Sequence, residues 1–164
     1  MLNDTVERVR WKRLICNNYA TPKSKFILWM VLHNRLPTVD RIRRWGVNCE
    51  ARCSLCRNEE ETIQHLFFSC AYAAGIWRDI CRLMNFTDAG GIYQDVISSV
   101  CSQARKKKGK LFVMFFTECV YAIWRQRNNK IFKGNYKDAN VVLRDIFFTV
   151  ANRSNDVERS KLLM

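Results

Sequence analysis

The sequence contains no apolar run that approaches the roughly 18 residues of a membrane-spanning helix. Its first residues, MLNDTVERVRWKR, lack the apolar segment of a secretory signal peptide. Internal repeats and low-complexity stretches are absent as well, and 164 residues are enough for one domain with its own core. We therefore expect an intracellular protein of the nucleus or cytoplasm that is not secreted and has no membrane partner.

Recognisable enzyme motifs are also missing. The chain has no P-loop and no G-x-G-x-x-G string, so nothing in it indicates nucleotide binding through a glycine-rich loop. We therefore expect no catalytic residues and no enzymatic activity from this chain alone.

Histidine is scarce, with two residues, whereas cysteine is abundant, with eight. Cys53, Cys56, His65 and Cys70 form the pattern C-x2-C-x8-H-x4-C. Zinc takes four tetrahedral ligands, and a C-x2-C pair supplies two thiolates from one tight turn. Buried structural cysteines are the alternative, but the first pair lies in the polar string RCSLCRN, a poor setting for core residues. The pattern predicts one Zn²⁺ ion held by these four side chains.

The remaining cysteines and the second histidine have other predicted roles. Reduced core thiols are expected in apolar-periodic stretches, at Cys16, Cys81, Cys101 and Cys119. Cys49 is close enough to compete as a ligand, but the C-x2-C geometry does not need it. His33 follows an apolar segment and is predicted to be a helix-end or surface residue.

Most of the chain shows helical periodicity, which predicts an all-α fold, a small helical domain with one zinc-stabilised loop. Thr21 and Pro22 are a plausible N-cap and first helical residue. The run FILWMVL that follows could equally be a buried strand. Thr38 is predicted to cap a short helix in which Val39, Ile42 and Trp45 share a face.

The longest predicted helix carries an apolar stripe from Phe112 to Phe132 and ends at Gly134. A last amphipathic stretch uses Val142, Ile146, Phe147 and Val150. We expect residues 1–134 to form the zinc-binding helical domain, and residues 135–164 to form a C-terminal amphipathic helix with a frayed tail.

Three strings surround the predicted ligands: PKSKFILW, RLPTVDRI and ETIQHLFFSC. In this order and with these gaps they resemble the zinc-binding domain that follows the polymerase in plant non-LTR (LINE-type) retrotransposon reverse transcriptases. The later string IWRQRNNKIF resembles a tryptophan- and arginine-rich segment of the same proteins. The resemblance covers residues 11 to 132, and together with the Thr-Pro start it favours a helix for FILWMVL.

The resemblance implies an accessory domain with a polymerase domain as a possible partner. Polymerases hold magnesium ions with paired aspartates, and no Asp-Asp pair occurs here. A zinc site with four protein ligands has no position for an activated water, which also argues against hydrolysis. The segment that precedes W-K-R-L in such proteins is cut short at Met1, so we expect a fragment or a descendant of such an element.

The net charge of +13 is unevenly distributed. Residues 1–48 carry ten Lys and Arg against three Asp and Glu, and residues 81–164 carry fifteen against seven. Residues 49–80, around the predicted ligands, carry three against five. Because a segment that binds phosphates should be basic, we expect the zinc loop to be structural and its neighbours to bind RNA or DNA backbone.

Three basic groups are candidates for that contact. The predicted nucleic-acid-binding residues are Arg41, Arg43 and Arg44, then Arg105, Lys106, Lys107, Lys108 and Lys110, then Arg125 and Arg127. Each group could instead be a solvated surface, and residues 105–110 could be a nuclear-import signal. Phe67 and Phe68 could stack on unpaired bases or pack beneath the zinc loop. A structural or protein-interaction module, or a non-functional remnant, is the alternative function.

Overall fold

The computed structural model describes residues 11–154. Residues 11–16 are helical. Six further helices follow, α1 (Pro22–Leu32), α2 (Val39–Arg44), α3 (Ala71–Met84), α4 (Tyr93–Gln103), α5 (Gly109–Lys133) and α6 (Ala139–Arg153), with a π-helical turn (His65–Ser69) before α3. The described residues contain no β-strand, only an isolated antiparallel bridge between Arg52 and Glu60. The predicted all-α fold is confirmed.

Helix α5 is the centre of the packing. Helices α1, α3, α4 and α6 and the π-helical turn all pack against it. Its residues Phe112, Phe115, Phe116 and Ile123 are buried, as the predicted stripe requires. The stripe ends earlier than predicted, because Phe132 is 78% exposed. All residues from 131 to 138 are exposed, so the end of α5 and the turn after it extend beyond the core.

Helix α1 begins as the Thr-Pro signal predicts. Thr21 is the N-cap, Pro22 follows it, and the Thr21 hydroxyl accepts a hydrogen bond from the Ser24 backbone N–H at 3.3 Å. Buried Glu118 of α5 accepts two further bonds at this end, from the Thr21 backbone N–H and the Ser24 hydroxyl, both at 2.7 Å. A carboxylate at a helix N-terminus is favourable, so the bonds both cap α1 and attach it to α5.

The start of helix α2 was predicted correctly, but the predicted apolar face is only partly buried. Thr38 is the N-cap residue, but its hydroxyl bonds the Asp40 carboxylate at 2.5 Å and caps no backbone N–H. Val39 is buried, whereas Trp45 is 61% exposed and lies outside the core. Gly46 follows with φ of +84° and Gly134 ends α5 with φ of +74°. Both are helix-ending conformations that glycine adopts without steric cost.

A buried ion pair joins the loop before the π-helical turn to helix α5. The Glu61 carboxylate accepts hydrogen bonds from Arg127 Nη2 at 2.6 Å and Nε at 3.0 Å. It also accepts the backbone N–H of Val39 at 3.1 Å, at the start of α2. Arg127 is 3% exposed, and its guanidinium lies 4.7 Å from the centre of the Trp124 ring. The pair therefore ties three parts of the chain together.

The C-terminal helix shares the core of the domain. Val142, Ile146 and Val150 of α6 are buried in the same apolar cluster as α5. The predicted tail beyond residue 154 lies outside the described residues. Within residues 11–154, no helix combines the length and hydropathy that crossing a bilayer requires.

All eight cysteines fall within residues 11–154 and none is in a disulfide. Cys81 and Cys119 are buried, as predicted for core thiols, and Cys101 is partly buried. Cys16 is exposed, so its assignment to the core is wrong. It lies at the end of the helical residues 11–16, where neighbouring Leu14 takes the buried position.

Removing the Arg127 side chain should leave the Glu61 carboxylate buried without its cation. We expect Arg127→Ala to lower the free energy of unfolding by about 3–5 kcal/mol, the usual cost of breaking a buried pair. Denaturant unfolding followed by circular dichroism measures the change.

The matched control is Arg125→Ala, two residues away, because Arg125 is exposed. That change should alter stability by roughly 0.5 kcal/mol or less, as surface substitutions do. Equal stabilities for the two variants would show that the buried pair contributes little.

Candidate metal centre

A short hairpin brings Cys53 and Cys56 together. The Cys53 backbone N–H donates to the Glu59 carbonyl at 2.7 Å, and the Glu61 N–H donates to the Ala51 carbonyl at 2.9 Å. Between them the Arg57 N–H returns to the Cys53 carbonyl at 2.9 Å, and Arg57 adopts φ of +59°. The chain thus reverses directly after the C-x2-C pair, as the spacing predicts.

The other two ligand candidates come from the π-helical turn. The Thr62 hydroxyl accepts the His65 backbone N–H at 3.0 Å and so caps the start of this turn. The Cys70 N–H then donates to the His65 carbonyl at 2.7 Å, a bond between residues five apart. An α-helix has 3.6 residues per turn, so residues five apart point in different directions. The wider π turn carries Cys70 back toward the side of His65.

The four donor atoms converge. The Sγ atoms of Cys53, Cys56 and Cys70 and a ring nitrogen of His65 all lie within 4.8 Å of one another. The Sγ atoms of Cys53 and Cys70 are 4.0 Å apart, and Cys56 Sγ is 3.1 Å from His65 Nε2. Four zinc ligands at about 2.3 Å from the metal place sulfurs roughly 3.8 Å apart. The observed separations therefore fit a single small metal ion.

The donor chemistry also fits a soft or borderline cation such as zinc. Three sulfurs and one imidazole nitrogen are typical of closed structural zinc sites. Cys53, Cys70 and His65 are buried, and Cys56 is partly buried. Cys49 and His33 do not belong to the cluster. His33 instead caps the end of α1, with its Nδ1 2.9 Å from the Trp29 carbonyl, as predicted for a helix-end residue.

The short distance between the Cys53 and Cys70 thiols changes the pKa of both groups. The hydrogen bond that Cys53 donates to Cys70 raises the pKa of the Cys53 thiol, and burial raises it further. The same bond lowers the pKa of Cys70, because it stabilises the thiolate that accepts it. Three thiolates this close would repel one another, so full deprotonation needs a cation among them. Metal binding at this site should therefore release protons.

Glu59 lies beside His65, outside the cluster. Its Oε2 is 3.2 Å from His65 Nδ1, on the opposite side of the ring from the Nε2 that faces Cys56, but the two atoms lack hydrogen-bond geometry. A carboxylate that accepts a hydrogen bond from this nitrogen orients a metal-binding imidazole and favours the tautomer whose other nitrogen binds the metal. Sequence reasoning missed this neighbour of His65, although Glu59 precedes the Thr62 cap in an obvious acidic run.

Glu61, from the same acidic run, was also missed. An acidic run before a helix is favourable for the charge at its N-terminus, but Glu61 is instead fully buried and paired with Arg127. Since Arg127 is 66 residues away along the chain, no local pattern could have connected the two.

Phe67 and Phe68, between the two ligands of the π turn, are both buried. Phe68 packs edge-on against Tyr93 of α4, with ring centres 5.4 Å apart. The packing alternative is therefore confirmed for both rings. They anchor the loop on the core and are not available to stack on bases.

The predicted nucleic-acid-binding residues divide into exposed and enclosed ones. Arg43 and Arg44 are exposed, and Arg44 pairs with Asp40 at 3.1 Å. Arg41 is partly buried and donates to the Asn34 carbonyl. The other exposed members of the predicted set are Arg105, Lys106, Lys107, Lys108, Lys110 and Arg125. Arg127 is the exception, because its guanidinium is enclosed by Glu61 and Trp124, so the proposed binding surface excludes it.

Alkylation of the folded, zinc-supplied protein should distinguish three kinds of cysteine. Exposed Cys16 should react fast. Cys81 should react slowly, because burial raises its pKa to about 12, and buried Cys119 should behave likewise. Cys53, Cys56 and Cys70 should become reactive together only after a strong chelator is added, since metal binding and loop folding are coupled.

Mass spectrometry of the alkylated peptides reads out all of these positions in one sample. Equal labelling of Cys53, Cys56 and Cys70 with and without chelator would contradict a metal held by their thiolates.

Replacing the carboxylate beside His65 should weaken metal binding without removing a ligand. We expect Glu59→Gln to lower zinc affinity about tenfold, in the range found for such supporting groups. Competition with a chromophoric zinc chelator measures the affinity. The adjacent, exposed Glu60→Gln serves as the control and should bind zinc like the unaltered chain.

Comparison with known proteins gives one finding at this site. Residues 1–77 match a family model described as zinc-binding in reverse transcriptase. Neither a curated protein nor a solved structure significantly matches the chain. All four converging side chains lie inside the matched segment. Over these residues the chain is therefore similar to the zinc-binding domain of reverse transcriptases, which is an accessory domain and not a catalytic one.

Proposed function

We propose that this chain is a zinc-binding accessory domain of a plant LINE-type retrotransposon reverse transcriptase, and that its basic surface binds the backbone of RNA or DNA. The observation that carries the proposal is the convergence of Cys53, Cys56, His65 and Cys70 inside the segment that matches the reverse transcriptase family. A polymerase domain is the proposed protein partner, and the nucleus or cytoplasm the proposed compartment.

In this proposal zinc has a structural role. Four protein ligands would complete its tetrahedral coordination, which leaves no position for substrate or for an activated water. When bound, the ion neutralises the thiolates and fixes the hairpin against the π-helical turn. Glu61 lies at the end of the same hairpin, and its ion pair with Arg127 fixes the hairpin against α5. The domain would then contribute binding and not chemistry to the polymerase.

The proposed backbone contact draws support from the position of the basic groups. Arg105 and Arg13 line one pocket with Trp11. The Trp11 ring contacts His33 at 4.7 Å, at the end of α1. Arg41 reaches the same end by its hydrogen bond to the Asn34 carbonyl. Two of the basic groups thus lie near one end of α1, and phosphate binding gains from cations that lie along one path.

The loop between α4 and α5 is the part of this surface that can be altered with least effect on the fold. Lys106, Lys107 and Lys108 are exposed. Replacing all three with Ala should weaken binding to every nucleic-acid sequence alike, because phosphate contacts carry no sequence information. The slope of log affinity against log salt should flatten by roughly 0.7–0.9 for each phosphate that the variant no longer binds.

Filter binding over a salt series measures both quantities. The control replaces Lys133 and Lys137, which are also exposed but lie at the far end of α5 and in the turn before α6. Unchanged affinity and slope in the loop variant would remove residues 106–108 from the binding surface. An unaltered chain that binds no nucleic acid at any salt concentration would favour the alternative, a structural or protein-interaction module.

A further inference from the structure

A ladder of aromatic rings runs along helix α1. The rings of Trp11 and His33 are 4.7 Å apart, those of His33 and Trp29 are 4.3 Å apart, and those of Trp29 and Phe26 are 6.2 Å apart. Phe26 lies at 16° to the Trp29 ring, so the two are stacked. Trp11, Trp29 and His33 are partly buried, whereas Phe26 is 58% exposed. The ladder therefore ends in one exposed ring, that of Phe26, which stacks on Trp29.

Phe26 also forms one wall of a cleft between α1 and α5. The cleft is shallow and open, with a volume of about 500 Å³. Pro22, Lys23 and Ile27 lie beside Phe26 on the α1 side, and Tyr121, Trp124, Arg125 and Asn128 line the α5 side. Trp124 forms a largely buried wall, while Lys23 and Arg125 are exposed. Apolar rings thus form the walls and cations stand at the edges.

The charge of the cleft restricts what it could bind. None of the residues that line it is acidic, and helix α1 itself contains no Asp or Glu. The Arg125 guanidinium lies 5.7 Å from the centre of the Tyr121 ring, and that of Arg35 lies 5.5 Å from the centre of the Trp29 ring. An occupant should therefore combine a flat apolar face with negative charge at short intervals. An unpaired nucleotide has both properties.

We propose that the cleft between α1 and α5 binds single-stranded nucleic acid, with an unpaired base stacked on Phe26 and the neighbouring phosphates held by Lys23 and Arg125. This site rests on the proposed function, since it requires that the domain binds nucleic acid. It adds the strand state that is recognised and the side chains that recognise it. Lys23 and Phe26 belong to none of the basic groups that the sequence singled out.

Stacking explains why a single strand is preferred over a duplex. Bases inside a duplex already stack on both neighbours and offer no free face, whereas unpaired bases can stack on protein rings. Because every base has a flat face, such a site accepts many sequences. The exposed cations of the 105–110 loop lack this cleft and should contact single strands and duplexes alike.

The test measures the anisotropy of labelled oligo(dT), oligo(rU) and a blunt DNA duplex with the full chain in zinc-containing buffer. Phe26→Ala should weaken binding of both single strands roughly tenfold, the effect of losing one stacked base. Binding of the duplex should not change. Phe26→Tyr should bind single strands like the unaltered chain, because it keeps the ring.

Phe148→Ala is the matched control, since Phe148 is another exposed phenylalanine but lies on α6 and does not line the cleft. Should Phe26→Ala prove unstable, Phe26→Leu keeps an apolar side chain and removes only the ring. Lys23→Ala combined with Arg125→Ala should lower single-strand affinity further and flatten its salt dependence.

The outcomes separate the two proposals. Single-strand affinity that is equal in Phe26→Ala, Phe26→Leu and the unaltered chain overturns the stacking site but leaves the proposed function intact. An equal loss for single strand and duplex in Phe26→Ala overturns it too, because the change would then act through the whole surface. No binding of any probe by the unaltered chain overturns the proposed function itself.

Discussion

Glu61 is fully buried, and its carboxylate is shared between the Arg127 guanidinium and the backbone N–H of Val39. A buried charge is costly unless it is paired and hydrogen-bonded. The loop that contains Glu61 can therefore occupy only a position where Arg127 of α5 and the start of α2 are both within reach. Because the same loop carries Cys53 and Cys56 at its turn, this requirement also fixes where the metal centre lies relative to the core.

Glu118 has the same role for helix α1. Its buried carboxylate accepts bonds from Thr21 and Ser24 and so attaches the start of α1 to α5. Both carboxylates satisfy backbone donors at helix N-termini, groups that have no partner inside the helix itself. The long helix thus sets the positions of α1 and of the zinc loop through polar contacts as well as through apolar packing. The cleft that we propose as a single-strand site lies where α1 meets α5, so its shape depends on the Glu118 contact.

The acidic residues near the metal centre and the exposed basic residues make different kinds of contact. The acidic residues near the ligands are engaged in structure, since Glu59 lies against His65 and Glu61 pairs with Arg127. Some exposed cations lie next to aromatic rings, as Lys110 does at 5.3 Å from the centre of the Tyr19 ring. Others pair with carboxylates, as Arg44 does with Asp40 at 3.1 Å. The positive charge at the surface is therefore only partly neutralised by neighbouring carboxylates.

The sequence by itself determined the features that depend on neighbouring residues. Three such features follow from short-range geometry: the C-x2-C turn, the Thr-Pro start of α1 and the glycine at the end of α5. The convergence of the four ligand side chains could be predicted for the same reason, because their spacing allows only a small closed loop.

Only the tertiary structure decided which polar residues are enclosed. Arg125 and Arg127 are both arginines of one basic run, yet the first is exposed and the second is buried. Their difference comes from the rotation of α5 against the zinc loop and from the location of Glu61, 66 residues earlier in the chain. The pairing of Phe26 with the α5 side of the cleft is likewise a long-range contact. Local patterns record which residues can form a helix, but the burial of each face depends on elements that are distant in sequence.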